Sequence, residues 1–243
     1  MHWFLFVIAG LRDLNHLPKP VYYTVKVNEQ FQRDTIELLK PDFVFVSDTR
    51  GYDVISHFGA PVENVCYVPR PYYSFVRELL LSKGLSTADT PTRLLYISRS
   101  KARLLPVNQA VSRRNILNEQ AVVNALVPIG FEAIHLEDYP LVDKIRLFQS
   151  AKMIVTPSGG ALTMCFFANQ KTQIIEIIGA DSQNEDQYYH ICEVLSIPIV
   201  RYTKVKSLDS NGNTIIPTLC GPYNIEVPDV DDLVNFVVAK KDV

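Results

Sequence analysis

The stretch Arg93-Leu94-Leu95-Tyr96-Ile97-Ser98-Arg99-Ser100, followed at 113–119 by Arg-Arg-Asn-Ile-Leu-Asn-Glu, decides how the rest of the chain is read. Residues 94–97 are an unbroken apolar run, too short for an ordinary helix and without polar alternation. That is the pattern of a strand buried on both faces in a parallel sheet. Such a strand delivers Arg99 to its carboxyl end, and the following helix, expected over 115–126 and opened by Arg113 and Arg114, carries Asn118 and Glu119. A second block repeats the design: an apolar strand at 153–155 runs into Thr156-Pro157-Ser158-Gly159-Gly160-Ala161, a glycine turn before a helix expected over 161–169. Helix-end N–H groups and planar guanidinium forks both stabilise phosphate oxygens, so the two blocks together describe a site for a doubly negative ligand such as a nucleotide diphosphate.

Working outward, the alternation continues on both sides. After the second block, a strand is expected at 173–177, a helix at 185–195 and a strand at 199–202; between the blocks, a strand at 133–136 and a helix at 141–149. Residues 207–213 read as a loop or hairpin tip, and a final helix is expected over 229–239. Toward the amino end the periodicity predicts strands at 21–27, 42–46 and 64–68 and helices at 29–39, 52–58 and 73–83; the start, 2–17, has helical spacing with a strand over 3–9 as the alternative. The polar segment 84–92 separates the halves. The fold class is therefore α/β, with a first lobe over 1–88 and a second over 89–243. Two Rossmann-like lobes with parallel sheets and a cleft between them describe a GT-B-type architecture. In open parallel sheets ligands sit beyond the carboxyl ends of the strands, where Arg99, Glu137 with Asp138, Ser158 to Gly160, and Gly179 to Asp181 all fall.

Composition narrows the classes. The chain has 243 residues, 24 Lys and Arg against 26 Asp and Glu, and a formal charge of −2, which argues against a general nucleic-acid binder. No apolar run approaches the ~20 residues of a membrane span. Residues 3–9 are apolar but lack the basic flank and cleavage site of a signal peptide. Cys66, Cys165, Cys192 and Cys220 have no C-x-x-C spacing, so buried free thiols are expected rather than zinc ligands. With no N-x-S/T sequon either, a cytoplasmic setting is expected, with an excised soluble catalytic domain as the alternative. Oligomeric state is not legible.

Each candidate has an ordinary reading beside the functional one. Arg99 could serve a surface salt bridge, but Ser98, Arg99 and Ser100 form a polar cluster at a strand end. Arg113 and Arg114 at a helix start would oppose the macrodipole, a conflict that an anion would resolve; a solvated helix start is the alternative. Glu119 could orient Arg99 or take a ribose hydroxyl. Glu176 interrupts the apolar run Ile-Ile-Glu-Ile-Ile, and a buried carboxylate needs an arginine or a ligand hydroxyl as its partner. Glu137 and Asp138 either contact a nucleotide or cap the helix that follows.

In their order, these motifs resemble glycosyltransferase family 61, whose relatives include protein O-linked N-acetylglucosamine transferases and plant cell-wall xylosyl- and arabinosyltransferases. The resemblance covers about residues 93–180: Ile97-Ser98-Arg99, Arg114 with Ile116, Asn118-Glu119, Gly130-Phe131 before Glu137, Ile145 with Leu147-Phe148, Ala151, Gly159-Gly160-Ala161-Leu162-Thr163, Phe167 and Ile175-Glu176. His2-Trp3-Phe4 resembles the family's His-Trp-Leu element. The chain departs from the family at the Gly-Pro-His-Gly-Ala turn, where Ser158 stands in place of the histidine, and after the His-Trp element, where Phe6 occupies the region of a common acid.

The resemblance implies inverting transfer of a sugar, of xylose or N-acetylglucosamine type, from a UDP-sugar to a hydroxyl of a glycan or glycoprotein. The first lobe would then be the acceptor side, short and divergent, and the second the nucleotide-sugar side. Donor or diphosphate contacts fall to Arg99, Arg113, Arg114, Asn118, Glu119, Glu137, Asp138, Ser158, Gly159, Gly160, Ala161 and Glu176. Candidate bases are Asp48, Asp13 and His16, with Asp48 best placed beyond the strand at 42–46. No convincing D-x-D motif appears, so no cofactor is expected and a divalent metal is not required by this reading. The alternatives are a noncatalytic nucleotide-sugar or glycan-binding module, or another nucleotide-sugar enzyme; an epimerase of the dinucleotide type would need a G-x-G-x-x-G after its first strand.

Overall fold

A computed structural model describes residues 21–23, 33–34, 37, 43–45, 78, 85, 90–101, 114–180, 187–216 and 223–241. The chain divides into two compact units, Met1–Ser86 and Thr87–Val243. In the first, strands β1 (Val21–Tyr23) and β2 (Phe43–Phe45) pair in parallel, Val21 opposite Phe43. Residues 33, 34 and 37 between them are helical, as a parallel crossover requires. The expected elements at 52–58 and 64–68 and the segment 2–17 lie outside the described residues.

The second unit is α/β, built on a five-stranded parallel sheet. Its strands are β3 (Arg93–Ser98), β4 (Phe131–His135), β5 (Ala151–Pro157), β6 (Gln173–Ile177) and β7 (Ile199–Tyr202), in the order β4-β3-β5-β6-β7. Helices α1 (Glu119–Leu126), α2 (Leu141–Ser150), α3 (Gln187–Val194) and α4 (Val230–Lys241) accompany it. Because side chains alternate along a strand, Leu94, Tyr96, Met153, Val155, Ile175 and Ile177 share one face, joining Val122 and Leu126 of α1 and Leu233 and Val237 of α4 in one core. Leu95, Ile97, Ile154 and Ile174 are equally buried on the opposite face. Burial on both sides is why these strands carry unbroken apolar runs, and each such side chain contributes about 1.5–3 kcal/mol.

Helix α4 begins where Asp229 accepts the N–H of Asp232, and it places Asp231 and Asp232 in its first turn and Lys240 and Lys241 in its last, in accord with the helix dipole. The Asp232 carboxylate also accepts the Tyr202 hydroxyl at 3.0 Å, tying α4 to the edge strand β7. Burial, and then Asp232, push the Tyr202 phenol up from its ordinary value.

Three expectations need correction. The helix expected from residue 115 starts at Glu119, and Arg114 is not on it. The chain from 114 to 117 instead runs beside strand β9 (Asn224–Glu226): Arg114 N–H donates to Tyr223, Ile225 N–H to Asn115 and Leu117 N–H to Ile225. Backbone groups committed to this ladder are not available for a helical turn, so the helix waits until they are spent. The helix expected at 161–169 is a 3-10 helix, Gly160–Phe167, in which the Thr163 hydroxyl donates to the Gly160 carbonyl one turn before it. Finally, Ser207 and Leu208 belong to β8 (Lys206–Leu208), antiparallel to β9, and the tip is confined to 209–213, where Asp209 accepts the N–H groups of Asn211 and Asn213.

Candidate functional site

The connection from β3 leads to β4 on one side, while the chain returns past β3 to place β5 on the other. Ends of neighbouring strands whose connections leave in opposite directions form a crevice, the usual ligand position in such sheets. Arg99 follows β3 and Ser158 follows β5 at this point.

Two guanidinium groups meet on Ser158. Arg99 Nη1 donates to the Ser158 carbonyl at 2.9 Å and Arg114 Nη1 donates to its hydroxyl at 3.3 Å. Ser158 is fully buried and is itself fixed by donating its N–H to Ile177 at 2.9 Å. Just before it, the Thr156 hydroxyl donates to the Ile97 carbonyl across the β3–β5 pair. Gly159 provides the room: with φ at +152° its backbone lies so close under Arg99 that an added Cβ would stand 1.1 Å from Nη1. Only glycine leaves the Arg99 head group in place.

Arg114 is held from the other direction. It adopts a left-handed backbone, φ +61°, which costs a non-glycine residue about 1–2 kcal/mol. Its N–H bond to Tyr223 and the stacking of its guanidinium over the Tyr223 ring, 5.5 Å from the centroid, hold it there. Asn118 secures the same arrangement, donating to the Val227 carbonyl at 2.7 Å and accepting the Val227 N–H at 3.1 Å. Asn118 thus fastens β9, and with it Tyr223, to the start of α1.

The electrostatics are those of concentrated positive charge. Burial lowers the Arg99 guanidinium from its ordinary value and the charge of Arg114 lowers it further, while Tyr188, Glu137 and Tyr223 act in the opposite direction. Its Nε is buried and makes no hydrogen bond among the described residues. An arginine does not shed its proton to relieve this, so a multiply charged anion is the chemistry that two such groups can hold.

The other candidates fall into distinct places. Glu119 accepts the Tyr96 hydroxyl at 2.9 Å and the Ser98 hydroxyl at 2.8 Å, so it is bonded to the strand that precedes Arg99 rather than to Arg99. Burial first, and Glu119 second, push the Tyr96 phenol well up. Asp138 pairs with Lys101 at 2.6 Å, and exposed Glu137 precedes it in a 3-10 turn, Leu136–Asp138. Gly160 and Ala161 open the 3-10 helix directly after Gly159. Glu176, fully buried, takes Arg201 as its partner at 3.0 Å across β6 and β7, and Arg201 lies over the Tyr189 ring, 4.5 Å from its centroid. Arg113, Asp13, His16 and Asp48 lie outside the described residues. Tyr223 and Tyr96, which support the site, were passed over by the sequence reading. Tyr96 had a signal, as a phenol inside a buried strand that must find an acceptor; Tyr223 had none. Among the described residues no three His, Cys, Asp or Glu side chains cluster as metal ligands, and no helix is long and apolar enough to cross a membrane.

An α/β unit with a cationic crevice at the reversal of its sheet is a frame suited to phosphorylated ligands. The chain belongs to glycosyltransferase family 61, whose model matches residues 2–175 and so includes Arg99, Arg114 and Ser158 to Gly160. Membership implies glycosyltransferase activity. No curated protein matches the chain.

Proposed function

We propose that this chain is a two-lobed, GT-B-type enzyme that transfers a sugar, of xylose or N-acetylglucosamine type, from a UDP-sugar to a hydroxyl of a glycan or glycoprotein, with inversion. The observation that carries this reading is the convergence of Arg99 and Arg114 on buried Ser158 at the β3–β5 crevice. In the reaction the acceptor oxygen attacks the anomeric carbon, the bond from that carbon to the diphosphate breaks, and the acceptor proton passes to a base. Charge grows on the departing UDP, and cations already in place stabilise it at that moment without reorganising. Arg99, Arg114 and the N–H groups opening the 3-10 helix at Gly160 serve this role, and no metal is required for it. The proton goes to a carboxylate or imidazole of the first unit, Asp48 before Asp13 and His16. The free, buried thiols of Cys165 and Cys192 support a reducing, cytoplasmic setting.

The test is a donor panel with glycan acceptors, read by UDP binding and UDP release, with and without chelator. Arg99→Ala and Arg114→Ala weaken UDP binding, Asp48→Ala spares binding but stops release, and chelator changes neither. UDP binding with no release on any acceptor would select a noncatalytic binding module. Absence of UDP binding, together with indifference to Arg99→Ala, would defeat the reading.

A further inference from the structure

The end of β4 lies beside Arg99 on the side away from β5, and its last residue is His135. His135 is the register partner of Ser98, so the two side chains stand on the same face. A chain of hydrogen bonds joins them through Ser100. The Ser98 hydroxyl donates its one proton to Glu119 Oε2 at 2.8 Å. Its oxygen accepts the Ser100 N–H at 3.1 Å, and in the 3.0 Å contact between the two serine hydroxyls it can only accept again. Ser100 is therefore the donor there and has no second hydroxyl proton to give. In its 3.5 Å contact with His135, the Ser100 oxygen is left to accept, which places the imidazole proton on Nδ1. In that tautomer Nε2 is the acceptor, and among the described residues it makes no hydrogen bond.

The position of this acceptor matters. Where a parallel sheet binds a nucleotide with its phosphates at the end of one strand, the ribose reaches toward the end of the adjoining second strand, and an acceptor there takes a ribose hydroxyl. β3 and β4 stand in that relation. Their ends are joined by the 2.6 Å Lys101–Asp138 pair, and the Glu137 charge acts on Arg99. The two strand ends thus share one electrostatic neighbourhood.

We propose that His135 reads the donor's ribose: its Nε2, oriented through Ser100, Ser98 and Glu119, accepts a ribose hydroxyl of the bound nucleoside diphosphate. This rests on the reading that Arg99 and Arg114 hold the diphosphate.

The experiment is calorimetric titration of the full chain with UDP, its 2′-deoxy and 3′-deoxy analogues, and pyrophosphate. The unaltered protein should bind one of the deoxy analogues about five- to tenfold more weakly than UDP, the net worth of one hydrogen bond. His135→Asn keeps an N–H for Ser100 but removes the Nε2 acceptor. It should weaken UDP by about the same factor, erase the difference between UDP and that analogue, and leave pyrophosphate unchanged. Ser100→Ala, which releases the ring, should give a smaller loss of the same kind and keeps the test available if His135→Asn folds poorly. Unchanged discrimination in both variants, equal losses for UDP and pyrophosphate, or no discrimination in the unaltered protein would each overturn the assignment. If instead Arg99→Ala leaves both UDP and pyrophosphate binding intact, it is the underlying diphosphate reading that fails.

Discussion

Arg99 and Arg201 are both arginines at the sheet of the second unit, and they are housed in opposite ways. Arg201 meets the fully buried carboxylate of Glu176 at 3.0 Å and lies over the Tyr189 ring. Arg99 lies beside a second arginine, donates to a neutral carbonyl, and keeps a buried Nε with no hydrogen bond among the described residues. The first arrangement balances charge within the fold; the second accumulates it. On the proposed reading the accumulated charge receives an anion brought from outside, whereas the balanced arginine serves stability, so the two should respond differently to the same substitution.

The largest effect should fall on Arg201. Arg201→Ala takes the ion-pair partner from the buried Glu176 carboxylate, and unfolding in urea should show a loss of about 3–5 kcal/mol. Replacing both partners with apolar residues, Glu176→Leu with Arg201→Met, should recover most of that loss, because the cost lies in the lone charge. Arg99→Ala should do the reverse: urea stability stays the same or rises, while UDP affinity falls about 100-fold, the worth of a multidentate charge-assisted contact. If Arg99→Ala proved as destabilising as Arg201→Ala, the contrast between the two would collapse.

A smaller effect should come from Gly159→Ala. The new methyl group would occupy the space of Arg99 Nη1, and the flexible arginine would yield. UDP affinity should fall by about tenfold, a loss of ~1.4 kcal/mol. A crystal structure of that variant should show the guanidinium moved off the Ser158 carbonyl.

The smallest effect concerns an exposed pair that resembles Arg201–Glu176 in chemistry but not in burial. Arg93 binds Glu132 through two hydrogen bonds, at 2.9 and 2.6 Å, and these hold the Glu132 carboxyl below its ordinary range. A lowered carboxyl contributes stability above its unfolded value, about pH 4.3, and loses it as pH falls through the lower folded value. Glu132→Gln should therefore remove that dependence below about pH 4.3 and, since solvent screens the pair, cost under about 1 kcal/mol at neutral pH. Urea midpoints across the acid range would check it.

Much of the second unit's fold was legible because its determinants are local. The strands Gln173–Ile177 and Ile199–Tyr202 lie where the apolar runs predicted them, and Arg99 and Ser158 follow their strands as expected. Arg114 was misread for a physical reason. Its conformation is dictated by Tyr223 and Ile225, more than 100 residues away, and no local propensity reports that pairing. Glu176 required a partner by electrostatics alone, but only the β6–β7 register showed that the partner is Arg201.

Apolar periodicity and turn chemistry, read along the chain, settle the alternation of strands and helices and send Arg99 and the Gly159 turn to the same end of the sheet. They do so because burial on two faces leaves a mark on every residue of a strand. Which strands become neighbours, which arginine is balanced by a carboxylate and which is left beside another arginine, and which nitrogen of His135 carries the proton depend on contacts between segments far apart in sequence. Those contacts exist only once the chain has closed its long loops, so their energy appears in the packed molecule and leaves no periodic trace along the chain.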